Sequence, residues 1–320
     1  MLSRVANAIY WMNRYIERAE NYARYLDVNF NLSLELPSNM MEQWKPLVVT
    51  TGDWKWYESS YDKVSKEKVI YFLGFDPNNL NSIHNCIINA RENARAIRPE
   101  LTREVWEQIN HLYYMVKDGF EKKRWKKNDP RNYFTEIKKG CQLLYGIIDA
   151  TISRNDGWHF GKIGQLIERA DKTSRVLDVK YHMLLPTPKE VGSPLDIIQW
   201  ASLLKSVSAY DMYRKKYGKL APIGISEFLI LDKVFPRSML RCLTQAELSL
   251  QIISGYGEGY TNNAGKQLGI LKSQLEYTDI HDIFETGLHE FLDDFQKKLN
   301  GVSTAIFETF FSIENIINKN

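Results

Sequence analysis

The chain has 320 residues, 44% of them hydrophobic and 25% charged, and its 42 Lys and Arg against 39 Asp and Glu give a formal net charge of +3. This composition is typical of a globular protein and excludes a disordered, collagen-like or disulfide-scaffold chain. The near balance of charge predicts no strong attraction to nucleic acid or to a membrane surface.

Three cysteines (Cys86, Cys141 and Cys242) lie far apart in the sequence. Such sparse cysteines favour a reducing compartment. No apolar run approaches the roughly 20 residues of a membrane-spanning helix, and the first residues do not resemble a secretory signal. We therefore expect a soluble cytoplasmic protein with no nucleic-acid or membrane partner.

The predicted elements are helices from the beginning of the chain. Residues 2–30 place apolar side chains at alternating spacings of three and four, the pattern of a helix that packs on other helices. The same pattern returns over 160–181. Two short β-prone runs, at 69–75 and 228–231, have no neighbouring partner strand and are assigned to helices. Thr244 with Glu247 fits a capping box, which predicts a helix beginning there.

The sequence repeats itself. Residues 13–28 (NRYIERAENYARYLDV) and 164–179 (GQLIERADKTSRVLDV) are identical at eight of sixteen positions. Residues 69–87 match 225–243, and Trp44 recurs as Trp200. The three offsets are 151, 156 and 156 residues, in the same order along the chain. The sequence thus predicts an all-α, internally duplicated helical bundle with a pseudo-two-fold and roughly ten to thirteen helices. Its repeats, 1–150 and 151–320, are expected to share one core.

Each repeat also carries a line of charged residues beside the apolar seam of its first helix. In both repeats an acid precedes an arginine by four residues, which favours a helical ion pair. Both also place two acids three residues apart, which costs free energy unless something compensates. Because this unfavourable spacing of acids occurs in both repeats, we infer that both helices need the acids for the same purpose. The candidate site residues are Glu17, Arg18, Glu20, Arg24, Glu168, Arg169, Asp171 and Arg175.

Three interpretations of these lines remain open. The acids and arginines could neutralise each other across the junction of the repeats and so fix its register. The four carboxylates could hold a divalent cation such as Mg²⁺, because oxygen-only ligands suit Mg²⁺, Ca²⁺ or Mn²⁺. The arginines could instead bind an anionic or carboxylate ligand in a cleft.

Secondary candidates lie outside the two lines or at their end. Arg91 and Arg95 project together from one helix, where a solvated face is the favoured interpretation, and His182 ends the second line. The chain has no Gly-x-Ser-x-Gly motif, and no cysteine has a neighbouring histidine. No complete catalytic constellation is visible.

Several blocks resemble the bacterial alpha-E domain family, among them MLSRVANAIYWMNRYIERAENYARYLDV, SIHNCIINARENARAIRPEL and WHFGKIGQLIERADKTSRVLDVKYH. WASLLKSVSAYDMYRKKY and FLILDKVFPRSMLRCL are similar to it as well. The resemblance implies an all-α domain whose charged motif positions are the eight candidate residues. It also implies the company of a circularly permuted ATP-grasp protein and of transglutaminase-like proteases, and hence a role in making or modifying a peptide or amide bond.

The sequence therefore supports one main functional hypothesis and two alternatives. The main hypothesis is an accessory or substrate-binding partner of an ATP-grasp ligase. The first alternative is a stand-alone metal-dependent or acid–base enzyme that uses Glu17, Glu20, Glu168 and Asp171. The second alternative is a purely structural scaffold.

Overall fold

The computed structural model describes residues 1–35, 44–126, 129–182, 192–255 and 262–312. Within these ranges all regular secondary structure is helical, which confirms the all-α class. The α-helices there are α1 (Ser3–Glu35), α2 (Lys45–Thr51), α3 (Trp54–Ser60), α4 (Lys66–Gly74), α5 (Ile83–Ala96), α6 (Arg103–Glu121), α7 (Arg131–Thr151), α8 (Asp156–His182), α9 (Pro194–Ser206), α10 (Tyr210–Tyr217), α11 (Pro222–Ile230), α12 (Met239–Ser254), α13 (Asn263–Tyr277), α14 (Ile280–Thr286) and α15 (Leu288–Ile306).

The prediction of ten to thirteen helices is wrong, because the described residues alone form fifteen. Two of the short helices end at glycines with positive φ. Gly52, with φ +83°, ends α2 just before α3 begins, and Gly287, with φ +103°, divides α14 from α15. Residues other than glycine rarely adopt a positive φ, and a residue with positive φ leaves the helical conformation. Each of these helices therefore ends at its glycine.

Two further local predictions have opposite outcomes. The β-prone runs are helical: 69–74 lies in α4 and 228–230 in α11. The capping box at Thr244 is wrong, because α12 begins earlier, at Met239. Ser238 caps this helix by accepting a hydrogen bond from the backbone N–H of Arg241. The Thr244 hydroxyl donates to the backbone carbonyl of Leu240, inside the helix.

The two long helices α1 and α8 pack against each other at the centre of the molecule. Helices α5 and α7 pack on α1, while α12 and α15 pack on α8. The buried apolar side chains of all six helices belong to one continuous core. The two segments that carry the charged lines are thus the inner helices of the bundle, and their polar side chains must find partners in its interior.

Glycine allows α1 and α8 to approach closely at one end of their contact. A Cβ on Gly164 would lie 2.4 Å from the backbone oxygen of Tyr10, and a Cβ on Gly161 would lie 2.7 Å from Nδ2 of Asn13. Both distances are shorter than any normal contact. Glycine at these two positions of α8 therefore leaves the space to Asn13 and to the backbone of Tyr10 on α1.

No helix in the described ranges is long and apolar enough to cross a membrane. The three cysteines are buried and free.

Candidate functional site: crossed Glu–Arg pairs beside a cavity

The contact between α1 and α8 brings the two Glu-Arg dipeptides together. Glu17 and Glu168 are both 0% exposed. Arg169 donates from Nε and Nη2 to the two oxygens of Glu17, at 2.9 and 2.8 Å. In the reverse direction, Arg18 donates from Nε and Nη2 to the two oxygens of Glu168, at 2.6 and 3.0 Å. We call these two bidentate contacts the crossed Glu–Arg pairs.

Further donors surround Glu17. Arg237, which precedes α12, donates from Nη1 to Glu17 Oε1 at 3.0 Å and from Nη2 to Glu20 Oε2 at 2.7 Å. Arg24 also pairs with Glu20, one turn away on the same helix. The Glu17 cluster consists of Glu17, Glu20, Arg24, Arg169 and Arg237.

A second cluster surrounds Glu168. Arg14 Nε lies 2.9 Å and Lys172 Nζ lies 3.4 Å from its carboxylate oxygens. Asp171 accepts from Lys172 at 2.8 Å and from Arg175 Nε at 2.9 Å. The Glu168 cluster consists of Glu168, Asp171, Arg14, Arg18, Lys172 and Arg175.

The guanidinium groups hold the buried carboxylates in their charged form. Burial acts to raise the pKa of Glu17, but Arg169 and Arg237 outweigh it and lower this pKa to about 2. Burial likewise opposes ionisation of Glu168, and Arg18, Lys172 and Arg14 together bring its pKa well below the usual range. A general acid or base at neutral pH needs a pKa near 7, so neither carboxylate is suited to that role.

The same contacts make the carboxylates a poor fit for a divalent cation. Both oxygens of Glu17 and both of Glu168 already accept hydrogen bonds from arginine. A cation there would have to displace these guanidinium groups and would then lie beside their positive charge. The carboxylates that the sequence suggested as Mg²⁺ ligands are thus already engaged with cationic side chains of the same chain.

Both clusters contain more cations than carboxylates. Three arginines face two carboxylates in the Glu17 cluster. In the Glu168 cluster, three arginines and one lysine face two carboxylates. A buried surplus of positive charge costs free energy unless an anion compensates it. The surplus favours an anionic group near the clusters.

A cavity of about 280 Å³ lies between α1, α7 and α8 and reaches the Glu17 cluster. Its inner end is polar and includes Glu20, Arg169 and Arg237. Its wall is apolar and includes Ile9, Met12, Ile148 and Ile152. Asp149, Trp158 and Lys162 line its outer part. An apolar cavity with a few convergent polar groups is the usual form of a small-molecule site.

Lys162 and Asp149 are uncommitted charges in this cavity. The half-buried Lys162 Nζ lies 5.6 Å from the centre of the Trp158 ring. Among the described residues, no carboxylate lies within 4 Å of Lys162, and no cation lies within 4 Å of Asp149. Burial lowers the pKa of Lys162, and the negative charge of Asp149 opposes this effect. Both groups can therefore form ion pairs with a ligand.

The secondary candidates do not join the site. Arg91 and Arg95 pair with Glu92 on the surface of α5, and Arg91 stacks on the Tyr113 ring at 4.6 Å. His182 is the last residue of α8, and its side chain lies outside the described part of the chain.

Sequence reasoning missed several residues of the site. Arg14 and Lys172 flank the motif on the same helices, so their helical spacing was an available signal. Arg237 aligns with Asn81 in the sequence match of offset 156, and this difference in charge was an available signal too. Lys162 and Asp149 gave no signal, because they come to one cavity only through the packing of both α7 and α8 on α1.

These observations define the class of protein: an all-helical domain built around two crossed Glu–Arg pairs. The chain belongs to the Alpha-E family, described as a predicted alpha-helical domain with a conserved ER motif, whose model matches residues 1–311. In this sequence the dipeptide Glu-Arg occurs at 17–18 and 168–169, the two places that form the crossed pairs.

Relatives occur in mycobacteria. An uncharacterised protein of Mycobacterium bovis is 25% identical over 277 residues, which is 79% of this chain and 30% of the relative. An uncharacterised protein of Mycobacterium tuberculosis strain H37Rv is 24% identical over the same length, with the same coverage. The chain thus spans about 30% of the length of these curated relatives. No solved structure matches the chain.

Proposed function

We propose that this chain is a ligand-binding accessory protein of an ATP-grasp ligase, and that the cavity between α1, α7 and α8 is its binding site. The observation that carries this proposal is the pair of uncommitted charges, Lys162 and Asp149, in a cavity next to the buried Glu17 cluster. A site held by such a cluster is preorganised, which lowers the free-energy cost of binding.

The two alternative functions receive less support. The stand-alone enzyme predicted from the sequence would use Glu17, Glu20, Glu168 and Asp171, but these four carboxylates are all engaged with cations. A purely structural scaffold would not require a cavity that reaches the Glu17 cluster, whose burial costs free energy. The crossed Glu–Arg pairs have a positioning role in this proposal, since they fix α1 on α8 and thereby shape the cavity.

We propose the partner from the proteins with which the alpha-E family is associated. The resemblance links alpha-E domains to circularly permuted ATP-grasp proteins and transglutaminase-like proteases, which act on peptide or amide bonds. The curated relatives are about three times as long as the region matched here. This length is compatible with such a domain working beside others in one chain. The buried free cysteines support a cytoplasmic setting for this work.

We also propose that the fold arose by internal duplication of one helical unit, with the halves sharing a single core about a pseudo-two-fold. Helices α3, α4 and α5 begin at Trp54, Lys66 and Ile83. Helices α10, α11 and α12 each begin 156 residues later, at Tyr210, Pro222 and Met239. Ser82 and Ser238 cap equivalent helices, and the crossed pairs exchange equivalent contacts.

The experiment is a tagged pull-down from the native host at low salt, read by mass spectrometry, followed by a ligase assay with the purified partner. We expect an ATP-grasp protein in stoichiometric amount and stimulation of its amide-forming activity. Lys162→Gln should retain the partner but lose most of the stimulation. The exposed Lys139→Gln on α7 is the matched control and should behave as the wild type. A ligase that neither binds this chain nor responds to it would refute the proposal.

A further inference from the structure

The outer part of the cavity places an ammonium and a carboxylate near each other without a direct ion pair. Lys162 lies on the second turn of α8, and Asp149 lies near the end of α7. The charge of Asp149 acts on Lys162, but the two groups are more than 4 Å apart. A ligand that lies between them can therefore offer an anionic group to Lys162 and a cationic group to Asp149.

The other charges of the cavity restrict the ligand further. Arg169 and Arg237 at its inner end belong to a cluster with one more cation than carboxylates, which favours an anionic group on that side. Outside that cluster, Asp149 and Glu100 also line the cavity. These two carboxylates would repel a ligand of high negative charge, such as a phosphate dianion. A ligand with one negative and one positive group satisfies both conditions.

The volume of the cavity and its apolar wall restrict the ligand further. A volume of about 280 Å³ lies just below the usual range for drug-sized ligands, roughly 300–1,000 Å³. The space suits one or two amino-acid residues rather than a nucleotide or a long peptide. The wall of Ile9, Met12, Ile148 and Ile152 offers apolar contact to a side chain.

We propose that the cavity binds a free amino acid or dipeptide as its zwitterion. The ligand carboxylate pairs with Lys162 on the side of Arg169, the ligand ammonium faces Asp149, and an apolar side chain packs on the isoleucine wall. This inference rests on the proposed function only in taking the cavity as the ligand site. It names the class of substrate that an amide-forming partner would receive from it.

The test is calorimetric titration and thermal unfolding of the full chain with L-leucine and L-alanyl-L-leucine. N-acetyl-leucine lacks the ammonium and leucine amide lacks the carboxylate, so these two compounds are the chemical controls. We expect at least one zwitterion to bind with a Kd in the millimolar range or tighter and to raise Tm by about 2 °C or more at saturation. Both controls should bind about tenfold more weakly or not at all.

Two variants locate the binding. Lys162→Gln should weaken zwitterion binding about tenfold, while Lys139→Gln on the exposed face of α7 should leave it unchanged. Asp149→Asn should weaken leucine binding without affecting that of N-acetyl-leucine. Both cavity positions are at least partly exposed, so the variants are expected to fold, and the unliganded Tm of each checks this.

Three results would overturn the inference. The first is no heat and no Tm shift with either zwitterion, and the second is equal binding of leucine and N-acetyl-leucine. The third is zwitterion binding that Lys162→Gln does not alter. A chain that stimulates an ATP-grasp ligase but binds no zwitterion would refute this inference alone. A chain that binds a zwitterion but no ligase would refute the proposed partner alone.

Discussion

Arg169 on α8 holds Glu17 on α1 through two hydrogen bonds of 2.9 and 2.8 Å, and the carboxylate it holds is 0% exposed. A buried pair of this kind adds little net stability, because desolvation offsets most of the Coulomb gain. Breaking it is nevertheless expensive, because a charge then stays buried without its partner. The contact therefore specifies how α1 sits on α8.

Removing the charge of Glu17 should destabilise the fold strongly. Glu17→Gln keeps the shape of the side chain but leaves Arg169 and Arg237 facing a neutral group. We expect a loss of about 3–5 kcal/mol in the free energy of unfolding, measured by urea denaturation.

The control for Glu17→Gln is Glu107→Gln on α6, which removes an ion pair with Arg103 on the surface. Solvent screens such a pair, so its urea midpoint should barely change. A Glu17 variant as stable as the control would show that the buried network is dispensable for the fold.

Acid should weaken the fold through the same carboxylate. The pKa of Glu17 is about 2 in the folded chain, against an ordinary value of 4.5. Because the folded pKa is the lower one, the stabilisation is fully present above pH 4.5 and is lost as the pH falls toward 2. Over this window the wild type should lose about 3 kcal/mol more than Glu17→Gln.

Urea denaturation at a series of pH values measures this difference. Other carboxylates contribute to the acid sensitivity of both proteins, and the comparison with Glu17→Gln removes their effect. Parallel stability curves for the wild type and the variant between pH 5 and pH 2 would contradict a low pKa for Glu17.

The close approach of α1 and α8 predicts opposite effects for two glycine substitutions. In Gly164→Ala the new Cβ would lie 2.4 Å from a backbone oxygen of α1 that cannot move alone. We expect a loss of about 1–3 kcal/mol or more. Gly146→Ala on the exposed face of α7 meets no atom within 4 Å and should gain about 0.5–1 kcal/mol from helix propensity.

Melting temperatures of the two alanine variants decide the matter. Equal melting temperatures for Gly164→Ala and Gly146→Ala would contradict the close approach of α1 and α8.

The sequence predicted the helical class and the main charged residues because both leave a periodic signal. The apolar seam of α1 and the two acids three residues apart are visible without coordinates. The reciprocity of the crossed pairs is not, because it depends on which face of α8 meets α1. Gly161 and Gly164 lie on the face of α8 that meets α1. The sequence alone does not show this, because it does not place Tyr10 and Asn13 against these glycines.

The cavity was beyond sequence reasoning for a similar physical reason. Lys162 and Asp149 belong to different helices, and each alone has the pattern of an ordinary charged residue on a helix. The two residues matter because they line one cavity without forming an ion pair with each other, and neither fact can be predicted from the sequence.

We infer that the Glu-Arg motif holds α1 to α8 rather than performing chemistry. A double-mutant cycle of Glu17→Gln and Arg169→Gln, read as free energies of unfolding in urea, measures this role. We predict that the two changes are not additive, with a coupling energy of about 2 kcal/mol or more. Additive effects within about 0.5 kcal/mol, with the fold retained, would contradict the claim and leave both side chains free for another role.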